Sequence, residues 1–325
     1  MSFKSIILKL MSLFVAVVLL LPAGISKGKS YDVKDPEHLK LHFSVLSDVH
    51  VEGNNFPRYK IFAQSLQNVK KNKSKNAAIV FLGDSTMNGQ VIENTLFHGA
   101  IALHLRNETV LPVVGNHDIG NGKGDYEKLQ NRWYDYTAAF FNKKLSHPYY
   151  YEVINGYYFI VLGMEAQEVY EMYMSEEQFA WLEGVLAEAA KSGKPAFVFS
   201  HYPTDDVVDA DGKYTDRLTK MLAEYNETND LFCFVGHTHM PLMLFWSFHT
   251  SDGFAETYLP RLTDLAGKDD NEIFDRSGIG LEVELYENEV TLRGRNFYSN
   301  EWVVDDEEDG TMCEVTYPLK NAVAG

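Results

Sequence analysis

Residues 112–122 read PVVGNHDIGNG. Val113 and Val114 close an apolar run, TVLPVV, with the composition and length of a buried strand. Gly115 and Gly120 then bracket Asn116, His117 and Asp118. A turn at this point calls for glycine and gains from a short polar side chain. It has no use for an imidazole set between an amide and a carboxylate. In α/β sheets, binding groups collect just past the carboxyl ends of parallel strands, so this stretch suggests a sheet whose strand ends carry chemistry.

The same pattern recurs on both sides. Upstream, LHFSVLSD ends at Asp48 and AAIVFLGD ends at Asp84. Between them, 57–71 has helical spacing, with Ile61, Phe62, Leu66 and Val69 on one side, and 91–105 reads as a second helix. This β-α-β-α-β order predicts a sheet covered by helices. Downstream, PYYYEVINGYYFIVLG holds two β-rich runs around Asn155-Gly156, a strong hairpin signal. SEEQFAWLEGVLAEAAKSGKP restores a helix. Ser175 and Gln178 form its expected capping box, Phe179, Leu182, Leu186 and Ala189 its apolar face, and Gly193 with Pro195 its stop. AFVFSH and LFCFVGHTH are two more buried strands, followed only by strand-like segments at 242–250, 254–259, 280–286 and 290–297. No repeat or Pro/Ser-rich linker interrupts them. One domain over 41–304 is expected, α/β in its first half and β-rich in its second, with an acidic turn and C-terminal tail over 305–325.

Composition narrows the partners. The 325-residue chain carries 29 basic and 46 acidic residues, a formal charge of −17. That average field repels a nucleic-acid polymer, but it does not exclude a small anion, because a bound metal dominates its own site. At the N-terminus, Lys4 and Lys9 precede an apolar run from Leu10 to Ala23, with Gly24 and Ser26 after it. The run falls short of the roughly 20 residues that span a bilayer. Residues 1–26 read as a signal peptide, with an uncleaved anchor as the alternative. A secreted or extracytoplasmic protein with no stable membrane partner after cleavage is expected. Cys233 and Cys313 are too few for a disulfide framework, and Cys233 in LFCFV reads as a small core residue.

The strand ends carry Asp48-Val49-His50, Gly83-Asp84, Asn116-His117-Asp118, His201 and His237-Thr238-His239. Any one of these alone has a structural reading as a capped turn or a core histidine. Five in succession suggest one convergent cluster. Imidazole, carboxylate and amide oxygen suit two divalent ions, Mn, Fe or Zn, and the lack of cysteine ligands argues against a structural zinc. A carboxylate bridges such a pair, which activates water at neutral pH and clamps a phosphoryl oxygen for in-line attack.

In that order, D-x-H, G-D, G-N-H-D, a lone His and G-H-x-H resemble the calcineurin-like binuclear metallophosphoesterases, over about 41–241. SEEQFAWLEGVL before FSHYP also looks like that family. The resemblance implies an α/β/β/α sandwich of two mixed sheets flanked by helices. It implies that Asp48, His50 and His239 bind one metal, that Asn116, His201 and His237 bind the other, and that Asp84 bridges them. His117 would assist the leaving oxygen, and Asp118 would orient His117 by a hydrogen bond. The remaining six of 11 histidines gain no such support.

Within the family, Met87 stands where purple acid phosphatases need a tyrosine, and His50 stands where they lack histidine. The chain after His239 is too short for the extra domain of secreted nucleotidases, and negative charge disfavours the DNA nucleases. GNHD, SHYP and GHTHM look most like the cyclic-nucleotide and glycerophosphodiester phosphodiesterases. A small phosphodiester substrate is expected. A phosphomonoesterase is the alternative, and a non-catalytic metal-stabilised binding module is a more distant one.

Overall fold

Strands rich in Val, Ile and Phe bury apolar side chains on both faces, so they need a second sheet on one side and helices on the other. The computed structural model describes residues 32–250, 252–264, 277–306 and 309–323. The expected signal peptide, 1–26, lies outside the described residues. The first half runs β1 (Leu41–Leu46), α1 (Phe56–Val69), β2 (Ala78–Phe81), α2 (Val91–His104), β3 (Val110–Pro112), α3 (Tyr126–Phe141), β4 (Tyr150–Ile154) and β5 (Tyr157–Val161). The middle runs β6 (Met172–Tyr173), α4 (Glu176–Ser192), β7 (Ala196–Ser200), β8 (Val207–Val208), α5 (Arg217–Thr228), β9 (Leu231–Val235), α6 (Leu244–Ser247), β10 (Phe248–His249) and β11 (Ala255–Tyr258). The last part is all strand: β12 (Ile279–Leu285), β13 (Glu289–Asn296), β14 (Glu301–Trp302), β15 (Val304–Asp306), β16 (Thr311–Met312) and β17 (Glu314–Pro318).

One sheet has the order β14-β13-β12-β1-β2-β3, with β17 also paired to β13. Its β1, β2 and β3 are parallel, and β12 and β13 add antiparallel. The other sheet has the order β10-β11-β9-β7-β5-β4, parallel from β11 to β5. Side chains alternate between the faces of each strand. In β2, Ala78 and Val80 point between the sheets, while Ile79 and Phe81 point out under α1 and α2, where Phe62, Leu66 and Phe97 cover them. Across the inner layer, Phe43 meets the rings of Phe159, Phe197, Phe199 and Phe234 at 4.9–6.0 Å between centroids. On the far side, Phe179, Leu182 and Leu186 of α4 and Leu218 and Leu222 of α5 pack over Ile160, Val198 and Val235. The result is the expected α/β/β/α sandwich, with Cys233 buried in its core.

Several local readings are corrected. The capping box is half formed: Ser175 Oγ accepts from Gln178 N at 3.2 Å, but the buried Gln178 amide is spent on Gly163 N and O. Glu165 Oε2 instead accepts from Ser175 N at 2.7 Å. Segment 242–250 is not one strand, because Ser247 N closes onto Met243 O at 3.0 Å and makes the short α6. The chain after 304 is not only a tail. β15 and β16 pair with each other, and β17 extends the first sheet along β13. Among the described residues, no helix is long and apolar enough to cross a membrane.

Phe43 sits where the two sheets meet, so truncating it leaves a cavity that neither sheet can close. Phe43→Ala should lower the unfolding free energy by about 3–5 kcal/mol. Phe56, 62 % exposed, should lose only about 0.5 kcal/mol on the same change. Urea unfolding followed by tryptophan fluorescence measures both, and equal losses would contradict the two-sheet core.

Candidate metal centre

The strand ends converge through an unusual backbone. Nine described non-glycine residues have left-handed φ. Four are asparagines, which tolerate that region. The other five are Asp48 (52°), His50 (46°), Asp84 (47°), His237 (63°) and His239 (53°), all of them donors expected from the sequence. Bulky residues are held there only when their surroundings over-determine it, at a cost of about 1–3 kcal/mol each. Left-handed residues reverse the chain just past β1, β2 and β9 and aim these side chains into one space. Glycines let the loops approach: a Cβ on Gly83 would lie 2.7 Å from His201 Nδ1, and one on Gly115 would strike the Asp84 carboxylate.

Asp48, His50, Asp84 and His239 each offer a donor atom, and all four atoms lie within 4.8 Å of one another. His239 Nε2 is 3.0 Å from Asp48 Oδ1 and 3.1 Å from His50 Nε2. His50 Nε2 is also 3.5 Å from Asp48 Oδ1 and from Asp84 Oδ2. Ser47 Oγ and His237 N donate to the other Asp48 oxygen, Oδ2, which leaves Oδ1 to face the imidazoles. Burial alone would raise the Asp48 carboxyl, but the His239 and His50 rings at its oxygens hold it well below the usual carboxylate range. Burial lowers His50 to about 4 and therefore favours its neutral, lone-pair-bearing form.

A second donor set lies against the first. His201 Nδ1 donates to Leu82 O at 2.7 Å, which turns Nε2 toward Asn116 Oδ1 at 3.1 Å and Asp84 Oδ1 at 3.3 Å. Burial opposes charge on His201, but the Asp84 carboxylate outweighs it and raises the ring to about 9. A cation is what these facing oxygens call for, and either a proton or a metal ion supplies one. The His237 ring packs 5.2 Å from that of His201 and 4.3 Å from that of Tyr202; burial, then His201, pushes it down to about 4. Asp84 thus turns Oδ2 to one donor set and Oδ1 to the other. Imidazoles, two buried carboxylates and an amide oxygen fit divalent cations of borderline hardness.

His117 sits beside both sets. Its backbone N donates to Asp84 Oδ1 at 2.8 Å, and its ring Nε2 lies 4.0 Å from Asp84 Oδ2 with 20 % of the side chain exposed. Its Nδ1 bonds the Met87 carbonyl at 2.7 Å. This corrects the role expected for Asp118. Asp118 Oδ1 accepts from Thr86 N and Oγ1 at 2.9 and 3.0 Å, and its Oδ2 from Gly115 N at 3.1 Å. It staples the β2 and β3 end loops and does not reach the imidazole. Burial and the nearby Asp84 charge raise it to about 7.

Asn121, in a glycine-rich segment, is a further residue the sequence reading passed over. Its Oδ1 accepts from Asn116 Nδ2 at 2.8 Å and its N donates to Asn116 O at 2.7 Å. That pairing turns the amide oxygen of Asn116 toward His201. The signal was a second asparagine between glycines, five residues on. Met87 acts through its carbonyl, so no side chain could have marked it.

Comparison with known proteins agrees with this geometry. The family model described as calcineurin-like phosphoesterase matches residues 41–241. A protein of Arcobacter nitrofigilis, described as a probable glycerophosphodiester phosphodiesterase, is 26% identical over 216 residues, 62% of this chain and 73% of that one. Among solved structures, a dimetal phosphatase from Danio rerio superposes with a TM-score of 0.55 at 14% identity, over 82% of this chain and 100% of that one, a likeness of fold. The five motifs lie inside the matched span and their side chains meet in one centre; the chain belongs to the calcineurin-like phosphoesterases.

Proposed function

We propose that this protein hydrolyses a small phosphodiester at a two-metal centre. The observation that carries the reading is Asp84, whose two oxygens face two separate donor sets. Asp48, His50 and His239 would hold one ion, Asn116, His201 and His237 the other, and Asp84 both. Bound there, two divalent ions of the Mn, Fe or Zn class supply Lewis acidity and make water a nucleophile at neutral pH. A diester rather than a monoester is supported by the activity given for the Arcobacter nitrofigilis relative. An exported location remains part of this proposal and rests on the N-terminal sequence alone.

The chain's own contribution is positioning and proton handling. The Met87 carbonyl accepts a hydrogen bond from His117 Nδ1, so Nε2 is the atom presented to the substrate. When protonated, His117 donates from Nε2 to the leaving oxygen, and its backbone N steadies Asp84 meanwhile. Asn121 holds Asn116 with its amide oxygen inward.

His117→Ala should keep both metals and its fold while turnover of an alkyl diester falls by about 10²–10⁴. A nitrophenyl diester, whose leaving group needs little protonation, should lose less. Metal analysis with paired kcat/KM values checks this, and loss of a metal from the variant would overturn the division between ligand and catalyst.

Asn121 gives a separate test. Asn121→Gly relaxes the left-handed backbone but removes the acceptor for Asn116, whereas Asn121→Asp keeps the acceptor. Affinity for the second metal equivalent, titrated calorimetrically, should fall about 10-fold or more in Asn121→Gly and stay near wild type in Asn121→Asp. Equal affinities in all three proteins would remove Asn121 from the account.

A further inference from the structure

Two arginines sit at the same edge of the sheets as the metal donors. Arg58 lies in the first turn of α1, where its N donates to the capping Asn55 Oδ1 at 3.3 Å. Arg261 follows the end of β11, and the next residues are tied to the loop after β1: Leu262 N donates to Ser47 O at 3.0 Å and Thr263 Oγ1 to Val49 O at 2.6 Å. Arg261 therefore flanks the loop that carries Asp48 and His50. It interacts electrostatically with Asp48, Asp84 and His50, and with Arg58, whose charge opposes its own.

Neither guanidinium is well satisfied by the protein. Nε and Nη1 of Arg58 and Nε of Arg261 are buried and find no hydrogen-bond acceptor among the described residues. Glu52 Oε2 forms only a long ion pair with Arg58 Nη1, at 3.5 Å, and accepts its hydrogen bond from Asn55 Nδ2 at 2.7 Å. Asp264 is the other carboxylate near both arginines. The remaining donors, Nη2 of Arg58 and both Nη atoms of Arg261, bond none of the described residues, and both side chains are half-buried.

Holding two like charges together, partly out of water and short of acceptors, costs free energy. Planar guanidinium forks match the oxygens of phosphate or carboxylate, and the donors still free here are the terminal ones. The reacting phosphoryl group already has the metal centre to neutralise it.

We propose that Arg58 and Arg261 form an oxyanion subsite beside the metal centre, and that the substrate carries a second phosphate or carboxylate next to its scissile phosphoester. This rests on the phosphoesterase reading above and adds a substrate class to it: a phosphoester with two anionic groups.

The test is calorimetric binding to the metal-loaded full chain of three non-hydrolysable probes: methylphosphonate, methylenebisphosphonate and phosphonoacetate. They share one phosphonate and differ in having no second anion, a phosphonate or a carboxylate. Arg58→Gln and Arg261→Gln should leave metal content and methylphosphonate affinity unchanged. Each should weaken one or both of the dianionic probes by about 10-fold or more, the worth of a charge-assisted hydrogen bond. Which probe responds more identifies the second anion as phosphate or carboxylate. An equal loss for methylphosphonate would mean that the arginines clamp the reacting phosphoryl group, and no loss for any probe would mean that they face no anion; either overturns the proposal. If a glutamine variant fails to fold, Arg58→Lys or Arg261→Lys keeps the charge and loses the fork, and an unchanged preference for the dianionic probes counts against the subsite. Failure of the phosphoesterase reading looks different: the wild-type protein would bind no phosphonate and hydrolyse no phosphoester at full metal loading.

Discussion

Five of the residues at the candidate centre depend on a backbone that most side chains avoid. Asp48, His50, Asp84, His237 and His239 hold left-handed φ values of 46–63°. In that conformation the chain can leave a buried strand, reverse at once, and return its side chain over the strand's end. Each such residue costs about 1–3 kcal/mol, and the three apolar layers of the sandwich offset it. The inner layer, with Phe43 among four aromatic rings, fixes one sheet against the other and so sets the distance between the donors of β1 and β2 and those of β7 and β9.

Asp84 is where these constraints meet. Its Oδ1 faces His201 and accepts the backbone N of His117, while its Oδ2 faces His50. One carboxylate therefore ties the two donor sets to each other and to the imidazole placed to handle the proton. Around it, each orienting bond fixes one degree of freedom: Leu82 O sets the His201 ring, Met87 O the His117 ring, and Asn121 the Asn116 amide. Three different oxygen acceptors do the same physical job, that of leaving a lone pair aimed inward.

Much of this was legible in the sequence, for a physical reason. Buried parallel strands are largely apolar runs, so the ionisable or amide residue that closes each one stands out, as at Asp48, Asp84, Asn116 and His201. The Asn155-Gly156 hairpin and the Gly193 stop were readable because both use left-handed backbone that few residues accept. What escaped were contacts with little or no side-chain signature. The Met87 carbonyl could be any residue's, and Asp118 next to His117 in sequence points to Thr86 and Gly115 in space. Helix α3 buries only Trp133, Tyr136 and Thr137 of its 16 residues, too thin a stripe to read. Strand β17 leaves Val315 and Tyr317 only half-buried, with Thr316 and Pro318 exposed, at an edge where the apolar signal is weak. Gln178 had the right spacing for a cap, but the tertiary demand of Gly163 won its amide.

The central claim is that Asp84 joins two metal sites into one centre. Metal content by mass spectrometry on purified wild-type protein and on Asp84→Asn, both dialysed against the same dilute Mn²⁺ buffer, tests it most directly. The amide keeps the hydrogen bond to His117 N and the shape of the side chain but loses the charge shared between the two donor sets. The account predicts two equivalents in the wild type, and in the variant a loss from both sites that leaves clearly less than one equivalent. Two equivalents retained in Asp84→Asn, or a wild type that binds only one, would contradict it.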